Sequence, residues 1–129
     1  MANVSEEDIA SGNKWVDELQ EAAKEDNAPV VVISGAIEEE LSGMPADERQ
    51  EFLADMGMKE SGLNRLVMAG YKLLGLINYF TVGVQETRAW TIKRGTTAPQ
   101  AAGVIHTDFE RGFLRAEVTA YKDFEECGG

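Results

Sequence analysis

The sequence predicts an α/β layer followed by a small α+β unit, and three observations carry that prediction. A helix-period stretch leads into four consecutive β-branched residues, Val30-Val31-Val32-Ile33, the kind of run that a parallel strand covered on both faces prefers. After Gly75 the texture changes to short β-branched and aromatic runs punctuated by glycine. Charge changes with it. Residues 1–64 hold 16 Asp and Glu against 4 Lys and Arg, net −12, whereas residues 65–129 hold 7 against 8, net +1. An asymmetry of that size accompanies either two structural units facing different partners or a first half whose helices have solvated acidic faces.

The elements follow in chain order. Ser5 and Asp8 have the spacing of a capping box, with Asp shorter than the preferred Glu or Gln. A helix over 14–25 places Trp15, Val16, Leu19, Ala22 and Ala23 on one face, and Asn27-Ala28-Pro29 breaks it. Helix then buried strand is the second half of a βαβ unit. Pro45 suits the first position of a helix whose apolar face is Phe52, Leu53 and Met56, closed by Gly57. Ser61 caps another, presenting Leu63, Leu66, Val67, Gly70, Tyr71 and Leu74 and ended by Gly75. Leu76–Val82 and Arg88–Arg94 then read as strands with turns at Gly83 and Gly95. Pro99 opens a helix with Ala101, Ala102, Ile105 and Phe109 inward, and the alternation from Leu114 to Tyr121 reads as a third strand. The break between units falls near Gly75, giving 1–75 and 76–129.

Composition excludes several functions. At 129 residues, 43% hydrophobic and 27% charged, the chain can bury a core. Twelve basic against 23 acidic residues, net −11, argue against a general nucleic-acid coat, DNA included, and against binding to anionic membranes. The single cysteine, Cys127, has no internal partner, which favours a reducing compartment. An acidic N-terminus and the lack of an 18-residue apolar run predict no secretory signal, no membrane span and a cytoplasmic protein.

The inventory of reactive groups is equally spare. The sequence holds no Gly-x-x-x-x-Gly-Lys-Ser/Thr loop, no Gly-x-Gly-x-x-Gly and no Gly-x-Ser-x-Gly elbow. His106 and Cys127 cannot make a zinc set, and His106 reads as a hydrogen-bonded structural residue. Glu38-Glu39-Glu40 reads as a solvated helix face, and Cys127, beside two acids, as an inert thiol. Tyr79, Phe80 and Trp90 read as core, not as a base-stacking platform. No catalytic residue and no metal ligand is identified, so the chain is not expected to be a self-contained enzyme.

Two short segments have the chemistry of base recognition. Asn3-Val4-Ser5-Glu6 lies where a strand would end before a helix, and Ser34-Gly35-Ala36 follows the Val30–Ile33 run. Ligands of open parallel sheets sit beyond the carboxyl ends of the strands, so both segments can line one crevice. An Asn amide meets one purine edge, and backbone N–H groups of the Ser-Gly-Ala turn meet another. The pair resembles the fourth and fifth nucleotide motifs of P-loop GTPases, with one departure. Glu6 stands where the guanine-selecting Asp belongs, and its extra methylene misplaces the carboxylate fork and loosens guanine selection.

Further along, Leu63-Asn64-Arg65, Ala69-Gly70-Tyr71-Lys72, Tyr79-Phe80-Thr81 and Arg88-Ala89-Trp90-Thr91 form a recognisable series. It continues with Thr97-Ala98-Pro99-Gln100-Ala101-Ala102-Gly103, Ile105-His106-Thr107-Asp108-Phe109-Glu110 and Gly112-Phe113-Leu114-Arg115-Ala116. Together these resemble the YchF/Obg-like ATPase family over essentially the whole chain. The resemblance implies the end of a P-loop NTPase domain in 1–75, a parallel-sheet βαβ remnant plus helices. It implies the first part of a ubiquitin-like (β-grasp) TGS domain in 76–129. It also implies ATP or GTP with magnesium in the full-length protein, base recognition by Asn3, Val4, Glu6, Ser34, Gly35 and Ala36, and association with ribosomes.

Contact with ribosomal RNA or protein through Arg88, Lys93, Arg94, Arg111 and Arg115 is expected of the second half, so the alternative function is a non-catalytic ribosome- or RNA-interaction module that retains no nucleotide binding; an ordinary solvated sheet face is the other reading of those residues. The family's phosphate loop, magnesium residues, switches and coiled-coil insertion would lie before Met1, and the closing TGS strand beyond Gly129. The chain is therefore expected to be a fragment, inactive as an ATPase alone and prone to self-association through open strand edges.

Overall fold

The computed structural model describes residues 1–128, which divide into two compact units, Met1–Leu74 and Gly75 onward. The first unit runs β1 (Ala2–Asn3), α1 (Glu6–Ser11), α2 (Lys14–Glu25), β2 (Val32–Ile33), α3 (Gly35–Gly43), α4 (Ala46–Asp55) and α5 (Gly62–Leu74). Ser5 starts α1 by accepting the Asp8 N–H at 3.3 Å. The Asp8 carboxylate accepts from Asn13 Nδ2 at 2.9 Å, and Asn13 Oδ1 accepts the N–H groups of Trp15 and Val16. One short network thus closes α1 and caps α2, satisfying donors that a helix start otherwise leaves orphaned. Asn27, in the left-handed region at φ 52°, ends the turn after α2.

β2 returns parallel to β1, with Ala2 opposite Val32 and Asn3 opposite Ile33. The ladder is shorter than the β-branched run suggests. Only Val32 and Ile33 are strand, and the run is half-buried instead of covered on both faces. The partner strand contributes just two residues, which limits how far pairing can extend. Behind it, Ile37, Leu41 and Leu53 are buried together, with Ile9, Met44, Phe52, Met56 and Met58 packed around them. Each buried aliphatic side chain contributes about 1.5–3 kcal/mol relative to exposure. Pro45 lies one residue before α4, at the cap position and without a capping side-chain bond, instead of in its first turn. On α2 only Val16 of the predicted apolar face is buried; Trp15 stands out in solvent with the Lys14 ammonium 4.3 Å from its ring centre.

The second unit runs β3 (Leu76–Val82), β4 (Thr87–Lys93), α6 (Ala98–Ile105), α7 (Thr107–Arg111) and α8 (Tyr121–Glu126). β3 and β4 form an antiparallel hairpin with Tyr79 opposite Trp90 and Ile77 opposite Ile92. Tyr79 donates to the Ala101 carbonyl of α6 at 2.8 Å, which ties the sheet to the helix. Thr97 and Gln100 make a full capping box at the start of α6, with proline in its first turn. His106 then breaks the predicted single helix. Its backbone is extended at φ −158°, so Phe109 belongs to α7 and not to the face of α6.

The expected third strand is not formed: Leu114–Ala120 has no regular structure. Leu114 and Val118, on the apolar side of that alternation, are 94% and 85% exposed. Among the described residues β3 and β4 pair only with each other, so both keep an outer edge free, and alternation alone does not bring Leu114–Ala120 onto either of them. A two-stranded sheet leaves its aromatics less covered than a core reading requires. Tyr79 and Trp90 are half-buried and Phe80 is exposed, with the Tyr121 ring centroid 6.2 Å from its own.

Candidate functional site

The two base-recognition segments meet at the carboxyl ends of β1 and β2. Parallel pairing in register brings Asn3 level with Ile33, so the residues that follow each strand emerge side by side. There the Gly35 N–H donates to Asn3 Oδ1 at 2.9 Å. Because that acceptor must be an oxygen, the amide orientation is fixed by the bond, and Nδ2 is directed away from it. The side chain of Asn3 makes no other hydrogen bond among the described residues. Gly35 is consumed in holding Asn3, so of the turn's N–H groups it is Ala36, in the first turn of α3, that lacks an intrahelical acceptor. A Cβ at Gly35 would stand 3.5 Å from Asn3 Oδ1, ordinary contact, so the approach does not demand glycine on steric grounds.

Ser34 has the least expected position. It is 2% exposed, its hydroxyl has no hydrogen-bond partner, and it does not cap α3 although it occupies the cap position. A buried hydroxyl without a protein partner costs about 1–3 kcal/mol, while the Ser34 backbone itself is ordinary extended chain at φ −118°. Val4 follows β1, half-buried, and its N–H donates to the Ile33 carbonyl at 2.9 Å. Glu6 is the first residue of α1 and is exposed, at the helix end whose dipole favours a negative charge.

Glu38, read from sequence as part of a solvated face, instead accepts the Gly62 N–H at 2.7 Å, while Glu39 and Glu40 are exposed. Among the described residues no three His, Cys, Asp or Glu side chains converge to hold a metal ion. An open cleft of about 500 Å³ lies between α3, α4 and α5, lined in part by Leu41, Arg49, Leu53 and Asn64. It does not include Asn3 or Gly35.

The basic residues of the second unit are exposed but dispersed. Alternation along β4 sends Arg88 and Lys93 to opposite faces of the hairpin, Arg94 lies just past the strand, and Arg111 ends α7. Arg115 belongs to the irregular segment after α7. The Arg88 guanidinium lies 4.2 Å from the Trp90 ring centre, and the Trp90 Nε1–H donates to Thr81 Oγ1 at 3.0 Å. Burial pushes the Tyr79 phenol above the ordinary tyrosine range. His106 Nδ1 accepts the Asp108 N–H at 3.2 Å and so caps α7. Cys127 is exposed and unpaired.

Comparison with known proteins places these residues in a family. A family described as YchF-GTPase_C, a protein of unknown function (DUF933), matches residues 76–129. The chain is 51% identical over 131 residues to the ribosome-binding ATPase YchF of Bacillus subtilis, covering all of this chain and 36% of that protein. It is 49% identical to Obg-like ATPase 1 of Gallus gallus, over 99% of this chain and 33% of that protein. The structure of the Schizosaccharomyces pombe YchF GTPase superposes on 96% of this chain and 33% of its own, with a TM-score of 0.83 at 39% identity. The chain thus spans about a third of the length of the relatives it matches. With identity near one half along the entire chain and a shared fold, it belongs to the YchF/Obg-like ATPase family.

Proposed function

We propose that Met1–Leu74 supplies the purine-selecting wall of a YchF-type ATP- and GTP-binding hydrolase, and that the second unit is its TGS module, contacting the ribosome. The observation that carries the first part is the Asn3 to Gly35 bond, which sets an amide and a helix N-terminus together at the carboxyl ends of two parallel strands. Asn3 Nδ2 and the Ala36 N–H are donors for acceptor nitrogens of a purine. Val4 and Gly35 form the backbone floor, with Ser34 buried beneath the turn. Glu6 replaces the Asp that favours guanine, which supports ATP as the nucleotide of the whole protein.

The base wall alone offers a few hydrogen bonds, each worth about 0.5–1.5 kcal/mol net. Phosphoryl transfer depends on a phosphate cradle and magnesium that stabilise the transition state, so residues 1–129 by themselves are expected to bind purines weakly and to release no phosphate. A two-dimensional amide NMR titration with ATP and then GTP tests the reading. ATP-selective shifts at Asn3, Gly35 and Ala36, lost in Asn3→Ala, support it. Resonances that ignore both nucleotides at millimolar concentration refute it.

The second part rests on the exposed cations Arg88, Lys93, Arg94, Arg111 and Arg115 and on relatives named as ribosome-binding. A ribosomal partner would make the protein cytoplasmic. Co-sedimentation with ribosomes that weakens as salt rises, and weakens further in Lys93→Ala/Arg94→Ala, is expected. Co-sedimentation insensitive to both would oppose it.

A further inference from the structure

We infer that α5 is a clamp on the purine-facing turn, with Glu38, Gly62 and Arg65 as positioning residues; this rests on the purine reading of Ser34–Ala36. Three contacts from α5 bracket the turn. Before it, Arg65 Nη2 donates to the Val32 carbonyl at 3.0 Å. β1 uses the carbonyls of Val31 and Ile33, so the Val32 carbonyl points to the opposite edge of β2, and Arg65 occupies the place where another strand would donate. After the turn, the Gly62 N–H donates to Glu38 Oε1 at 2.7 Å, and Glu38 itself closes the first turn of α3 through its N–H to the Ser34 carbonyl at 3.0 Å.

The third contact is steric. Gly62 is buried, and a Cβ there would lie 2.8 Å from Ile33 Cγ2, 3.0 Å from Ile33 Cβ and 2.9 Å from Glu38 Oε1. Ile33 is β-branched and stiff, so it cannot yield by turning its side chain. The glycine at this position therefore lets α5 seat directly against the residue before the turn and the residue that follows it. Held at Val32, Ile33 and Glu38, the segment Ser34–Ile37 is confined at both ends. That confinement keeps Gly35 within 2.9 Å of Asn3 Oδ1 and Ser34 buried without a partner.

Amide exchange by NMR on the whole 129-residue chain tests the clamp, read at Gly35 against Leu41 in the core. In Gly62→Ala and Glu38→Ala, the Gly35 amide is expected to exchange about tenfold faster or more while Leu41 is unchanged, the pattern of a local opening. Glu38→Gln, which keeps an acceptor, is expected to restore the slow rate. Gly35 exchange equal to that of the unsubstituted chain in both alanine variants would overturn the clamp, as would acceleration of Leu41 by the same factor. If Gly62→Ala does not fold, the Glu38→Ala and Glu38→Gln pair decides alone. ATP titration of the unsubstituted chain runs as a separate arm. Absence of purine-induced shifts there refutes the purine reading, whereas the exchange rates still judge the clamp.

Discussion

Asn3 and Gly35 lie 32 positions apart in sequence and are joined by a 2.9 Å hydrogen bond from the Gly35 backbone N–H to the Asn3 amide oxygen. The bond is a direct consequence of a two-residue parallel ladder, since in-register pairing of Asn3 with Ile33 leaves the next turn beside the Asn3 side chain. It does two things at once. It closes the end of the sheet, and it turns the amide nitrogen of Asn3 outward as a donor.

The buried, unpaired hydroxyl of Ser34 predicts a stability gain on its removal. Ser34→Ala is expected to stabilise the nucleotide-free chain by about 1 kcal/mol, because the desolvation cost disappears while no cap is lost. Urea denaturation followed by circular dichroism measures this. A loss of stability of similar size would mean that the hydroxyl has a partner in solution.

Leu41 lies at the centre of the first unit's small core, 3% exposed beside Ile37 and Leu53. Leu41→Ala is expected to cost about 2–5 kcal/mol, a large share of the stability of a domain this size. NMR resonances of Gly35 and Ile37 should broaden or collapse at temperatures where the unsubstituted chain keeps them dispersed. Unchanged dispersion would show that the core is elsewhere.

Tyr79 makes the second unit sensitive to alkali. Desolvation raises its phenol above the ordinary value of about 10, so the folded state holds this proton more tightly than the unfolded chain does. The resulting stabilisation is complete below the ordinary value and is lost as pH rises through the folded one. A phenolate also cannot donate to the Ala101 carbonyl. Tyr79→Phe is expected to cost about 0.5–1.5 kcal/mol near neutrality and to flatten the fall in stability above about pH 10. Denaturation curves at pH 8 and at about pH 11 read both effects; equal alkaline slopes in the two proteins would refute the assignment.

Local signals in the sequence translated well into local structure. Ser5, Asn27, Ser61 and the Thr97–Gln100 pair punctuate helices where their side-chain chemistry requires, and α2, α5, β3 and β4 lie within a residue or two of their predicted spans. The Asn3 and Ser34–Ala36 segments were legible as two ends of parallel strands, though not that Gly35 would spend its N–H on Asn3. What failed depended on partners distant in sequence. Leu114–Ala120 alternates like a strand, but alternation carries no information on whether the segment docks on the free edges of the β3–β4 hairpin. Glu38 illustrates the opposite error. In a run of three acids it resembles a solvated face, and only the approach of Gly62 from 24 positions away gives its carboxylate a backbone donor. The clue that was present is Gly62 beside Ser61, a small residue at a helix start where a neighbour must come close.

In the function proposed, the residues at the carboxyl ends of β1 and β2 select the purine, with Glu6 setting the choice. The most direct measurement compares ATP and GTP titrations of the unsubstituted chain and of Glu6→Asp by amide shifts at Asn3, Gly35 and Ala36. Shortening the acid should move preference towards GTP, by about tenfold for one regained charge-assisted hydrogen bond. If ATP and GTP shift these amides equally in both proteins, or not at all, Glu6 and Asn3 do not form a base-selecting site.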